Sequence, residues 1–119
     1  ASAAPDATPP ATTPAADPAP AGPVAARLQV TSREFTLTLS RPAIAAGPLT
    51  LELVNRGEDP HDLHVRPAAG GADVLAIDDT DGFGGLGSVD GTLAAASYTL
   101  YCALPGHEAA GMHATLLVQ

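Results

Sequence analysis

The chain has 119 residues, enough for one domain and too few for two ordinary ones. Its 13 acidic and 5 basic residues give a formal net charge of −8, which argues against nucleic-acid and anionic-membrane partners and favours a basic protein or a cation. Cys102 is the only cysteine, so no intrachain disulfide can form, and no run of about 18 apolar residues offers a transmembrane helix.

Residues 1–23 are almost wholly Ala, Pro and Thr and hold seven of the twelve prolines. Such a stretch cannot bury enough apolar surface to offset its ordering entropy, so a disordered Ala/Pro/Thr-rich linker is expected. It would act as a tether to a membrane or cell wall, or as a passive tail. The chain opens at Ala1, as if an export leader had been removed, which predicts an extracytoplasmic location in a bacterium.

The folded domain is expected over residues 24–119. With no Trp, two Phe and two Tyr, its core must be aliphatic. Phe35-Thr36-Leu37-Thr38-Leu39, Leu49-Thr50-Leu51-Glu52-Leu53, Tyr98-Thr99-Leu100 and Ala114-Thr115-Leu116 alternate apolar and polar residues, the pattern of half-buried strands. Gly and Pro punctuate these runs, and Asp78 to Gly87 reads as a long loop with at most a helical turn. Short strands separated by turns predict an all-β sandwich.

One segment carries chemistry. Cys102-Ala-Leu-Pro-Gly-His107-Glu-Ala-Ala-Gly-Met112 brings the only Cys, the only Met and a His within eleven residues. Alternation puts Tyr98, Leu100 and Cys102 on the inward face of one strand, and Pro105-Gly106 turns the chain so that His107 and Met112 can return over the same spot. A second histidine comes from Pro60-His61-Asp-Leu-His64. By parity His61 shares the inward face with Leu63 and Val65, while His64 points outward, provided that no bulge intervenes. A thiolate, two imidazoles and a thioether form a soft site suited to one copper, Cu(I)/Cu(II), in a trigonal His₂Cys arrangement with a weak axial Met.

The Pro-His61 turn, the Tyr-Cys102 strand end and the Cys-x4-His-x4-Met loop resemble the ligand motifs of small cupredoxins of the plastocyanin, azurin and auracyanin type. The resemblance spans residues 24–119. It implies a Greek-key β-sandwich with a type 1 (blue) copper held near one end by His61, Cys102, His107 and Met112. It also implies an electron carrier that is not an enzyme. His107 would be the exposed ligand through which electrons pass, and a monomeric chain would dock redox proteins weakly at a smooth patch of Leu104, Pro105, Gly106, Ala109 and Ala110. Tyr101, beside Cys102, is a second electron route or a cross-strand packing residue. Asp62 stands where the family commonly has Asn, which ties the ligand loops together; a carboxylate accepts hydrogen bonds but donates none unless protonated. The Leu104 N–H is expected to point at the Cys102 sulfur. Pro105 has no N–H to add a second bond, and fewer donors to sulfur favour a higher potential.

His64 and His113 are expected to be exposed histidines, and the acidic run at Asp78, Asp79 and Asp81 a solvated loop. Alternative functions are copper handling as a chaperone or store, and a domain of a nitrite reductase- or laccase-like enzyme with a second copper at His64 or His113. The single Met argues against the first, and the H-x2-H spacing of His61 and His64 is not the His-x-His of multicopper oxidases.

Overall fold

The computed structural model describes residues 26–119. The expected linker over residues 1–23 lies outside them. Nine strands follow in order: β1 Ala26–Arg33, β2 Thr36–Leu39, β3 Ala43–Ile44, β4 Gly47–Asn55, β5 His61–Pro67, β6 Leu75–Thr80, β7 Leu86–Leu93, β8 Ala96–Tyr101 and β9 His113–Val118. A single turn of helix, α1 His107–Ala110, precedes β9. They form two sheets, β2-β1-β4-β7 and β3-β9-β8-β5-β6. Both sheets are mixed, because β1 runs parallel to β4 and β3 parallel to β9.

The two sheets meet over a core that is aliphatic, as the composition requires. Leu28, Val30, Leu51, Leu53, Leu63, Leu100 and Leu116 are all at most 1% exposed. Each such burial is worth roughly 1.5–3 kcal/mol. The alternation in β1, β4 and β8 is the alternation of these inward side chains with outward ones. Tyr98 is the one aromatic residue of the core, and its hydroxyl donates to the Ala94 carbonyl at 2.7 Å.

Two expectations are corrected. The stretch from Asp78 to Gly87 is not one long loop: β6 runs to Thr80 and β7 begins at Leu86. The glycines of β7 that suggest a loop are packing positions, because a Cβ at Gly87 or Gly91 would strike the side chains of Ile77 and Leu75 on β6. Phe35 is not the first inward residue of a strand either. It lies in the turn before β2 and is 40% exposed.

The topology gathers the chemical residues at one end. β5 and β8 are antiparallel neighbours with His64 opposite Tyr101, so the start of β5 and the end of β8 coincide. β9 pairs back along β8 with His113 opposite Tyr101, so the loop from Cys102 to Met112 caps the same end. In the other sheet Ser32 lies beside Asn55, which brings the β1–β2 turn and the β4–β5 loop to that end as well.

Candidate metal centre

His61 opens β5 and is fully buried, as parity requires, even though the register of β5 against β6 shifts between His61 and Leu63. Cys102 follows β8 and is fully buried, with Tyr98 and Leu100 inward beside it. His107 starts α1 and is half-buried. The Cys102 Sγ lies 4.0 Å from His61 Nδ1 and 3.6 Å from His107 Nδ1. The donor atoms of the three residues all lie within 4.8 Å of one another.

These distances fit a bound metal. A triangle with two sides of 3.6 and 4.0 Å and a third of at most 4.8 Å has its centre no more than about 2.5 Å from each corner, and nitrogen and thiolate bonds to a first-row metal run roughly 2.0–2.3 Å. The donor set of one sulfur and two imidazole nitrogens is the soft kind that suits copper. Met112 is fully buried, and its backbone is tied to two of these residues. Its N–H donates to the His107 carbonyl at 3.0 Å, and its carbonyl accepts the Cys102 N–H at 3.2 Å.

Burial pushes the Cys102 thiol up, while the backbone N–H groups of Leu104 and Asp62 pull the other way by pointing at its sulfur.

Asp62 ties two loops of the site together through its carboxylate. Its side chain is nearly buried, and Oδ1 accepts the Ala103 N–H at 2.7 Å, joining the β5 start to the Cys102 loop. Oδ2 faces His64 Nε2 at 3.1 Å, and His64 Nδ1 faces Asp73 Oδ2 at 2.8 Å. His64 is therefore a fixed part of the site's outer face, not the exposed histidine expected; His113 is exposed as expected. Tyr101 stacks on His64 with ring centroids 5.2 Å apart and donates to Asp73 Oδ1 at 2.6 Å. Arg66 lies over the other part of this cluster, 4.1 Å from the Tyr101 centroid, and donates to Glu108 at 2.7 Å. Tyr101 thus packs against His64, its cross-strand partner.

Burial lowers the affinity of His64 for a proton, but its bonds to Asp73 and Asp62 outweigh this, and its pKa rises above the usual 6.5. The folded chain then holds that proton more tightly than the unfolded chain. The stabilisation is complete below about pH 6.5 and is lost as pH rises through the higher folded value. The stability advantage of the metal-free wild type over His64→Gln, measured by urea unfolding, is expected to shrink as pH is raised through this window. An advantage that grows with pH would contradict the pairing.

Three residues of the site had no sequence signal. Glu34, in the β1–β2 turn, places Oε2 2.9 Å from His61 Nε2. The Asp59 and Glu58 N–H groups donate to the same carboxylate at 2.9 and 3.0 Å and hold its pKa at about 2. Phe35 meets the His107 ring edge to face, with centroids 5.2 Å apart. Asn55 is fully buried at the end of β4. Its Nδ2 reaches the Asp59 and Asp81 carbonyls and Thr80 Oγ1 at 2.8–3.2 Å, and its Oδ1 accepts the Gly57 N–H at 2.8 Å. Thr80 in turn donates to the His61 carbonyl at 2.9 Å.

No protein-family model matches the chain, and a comparison with the sequences of characterised proteins finds no match. Solved structures do match. Reduced auracyanin from Roseiflexus castenholzii superposes with a TM-score of 0.65 at 17% identity, over 82% of this chain and 99% of that one. Auracyanin A, a blue copper protein from Chloroflexus aurantiacus, gives 0.63 at 19% identity, over 82% and 100% of the two chains. Reduced rusticyanin gives 0.58 at 18% identity, over 81% of each. On that likeness the chain has the cupredoxin fold.

Proposed function

We propose that this chain is a mononuclear type 1 copper protein that carries single electrons between redox partners outside the cytoplasm. The observation that carries the proposal is the buried triangle of Cys102 Sγ with His61 Nδ1 and His107 Nδ1, at 4.0 and 3.6 Å. Met112, fully buried and tied through its backbone to His107 and Cys102, would help to hold the copper as a fourth residue.

Copper supplies the one-electron Cu(II)/Cu(I) couple. The chain's own residues supply the rest. Cys102 and His61 are closed to water, and each is held by backbone or side-chain bonds that do not depend on the metal. A donor set held in place by its surroundings changes little between oxidation states, which keeps reorganisation small. His107 alone of the three reaches the surface, so it is the exit for the electron. Phe35, Pro105, Ala109 and Ala110 are exposed around it and form a small apolar patch suited to brief docking. The Tyr101 cluster, on the outer face of β5 and β8, is the second route. Auracyanin A, a blue copper protein matched over its whole length, supports the copper reading. A copper nitrite reductase from Thermus scotoductus is matched over only 31% of its chain.

Voltammetry of the copper-loaded chain tests the transfer role. A reversible one-electron couple with fast exchange is expected. Slow electron exchange together with rapid copper transfer to an acceptor apoprotein would instead mark a copper-handling protein.

A further inference from the structure

Glu34 stands apart from the ligands in sequence, yet its carboxylate is the group that faces the outer nitrogen of His61. A side chain from an exposed turn would ordinarily move freely. Here both of its oxygens are committed: Oε1 accepts the Glu58 N–H at 3.0 Å, and Oε2 accepts the Asp59 N–H at 2.9 Å. The carboxylate also lies flat over Gly57, where a Cβ would collide with its oxygens and its Cδ. Gly57 itself is fixed by its N–H bond to Asn55 Oδ1 at 2.8 Å. The β4–β5 loop is thus shaped as a cradle for one carboxylate, and the side chain within it is only 28% exposed. The same Oε2 also meets His61 Nε2 at 2.9 Å, on the opposite side of the ring from the Nδ1 that faces Cys102.

We propose that Glu34 is a positioning residue for the metal centre: it accepts a hydrogen bond from the His61 Nε2–H, leaves the Nδ1 lone pair for the metal, and places a negative charge that favours the oxidised ion. The proposal rests on the copper reading above. The physical reasons are two. A neutral imidazole carries its proton on one nitrogen, and the acceptor at Nε2 decides which one. An anion hydrogen-bonded to a ligand makes that ligand more electron-rich, which stabilises Cu(II) more than Cu(I).

Two measurements on the full chain test this. In the metal-free protein, long-range proton–nitrogen correlation of ¹⁵N-labelled histidine in the alkaline range reads the His61 tautomer. The wild type is expected to be the Nε2–H form, and Glu34→Ala a mixture. In the copper-loaded protein, Glu34→Gln is expected to lower the preference for Cu(II) over Cu(I) about tenfold, a rise in potential of about 59 mV for one electron. Gly57→Ala keeps the charge but fills the cradle, and its potential should shift in the same direction.

A blue wild type whose potential is unchanged in both Glu34→Gln and Gly57→Ala overturns the tuning role. An unchanged tautomer in Glu34→Ala overturns the orienting role. A wild type that forms no blue centre refutes the copper reading, and the tautomer measurement still decides whether Glu34 orients His61.

Discussion

Cys102→Ser is expected to remove the blue colour of the copper-loaded chain completely while leaving the fold intact. The intense colour of a type 1 centre needs a thiolate that can donate charge to Cu(II), and a serine oxygen is a harder and far less reducing donor. Cys102 is fully buried, and its sulfur is faced by both imidazole Nδ1 atoms, so the thiolate is the group that a serine would replace. The change is nearly isosteric, and the backbone bond from the Cys102 N–H to the Met112 carbonyl at 3.2 Å does not involve the side chain. Visible spectra and urea unfolding of the same preparation check both halves. A variant that stays blue would move the centre away from Cys102.

Asn55→Ala should have the largest effect on stability, about 2–4 kcal/mol in unfolding free energy. The side chain is fully buried and bonds residues of three segments: Gly57 and Asp59 in the β4–β5 loop, Thr80 at the end of β6, and Asp81 beyond it. Alanine would leave the Asp59 and Asp81 carbonyls and the Gly57 N–H without these bonds. The same loop carries the Glu58 and Asp59 amides that hold Glu34, so copper affinity should fall together with stability. Urea unfolding of the metal-free variant gives the first number, and competition with a chelator gives the second. A loss below about 0.5 kcal/mol, the scale of ordinary surface changes, would show that the loop is held by other means.

The contrast between Cys102 and Asn55 shows what the sequence could convey. The strand before Cys102 alternates cleanly, the only Cys and Met fall in one loop, and parity picks His61 over His64. Those are local patterns, and local patterns are legible. Glu34, Phe35 and Asn55 act on partners supplied by turns far away along the chain, and nothing in the spacing of Glu34 announces a bond to a histidine 27 residues later. Phe35 fits the alternation without belonging to the strand, because Phe35-Thr36-Leu37 continues the pattern of β2 by one residue beyond its start. β7 was hidden by its glycines, which are there because Ile77 and Leu75 press against them. Asp62 shows a third case. The position was identified, but whether a carboxylate could serve depended on His64, whose ring turns out to face it at 3.1 Å.

The most direct test of the account is a titration of the full chain with Cu(II), followed by visible and EPR spectra. The account predicts a blue colour that saturates at one copper per chain, with the narrow copper hyperfine splitting of a thiolate-bound site. A folded chain with its thiol reduced that takes up copper without colour, or that saturates at two coppers per chain, would contradict it.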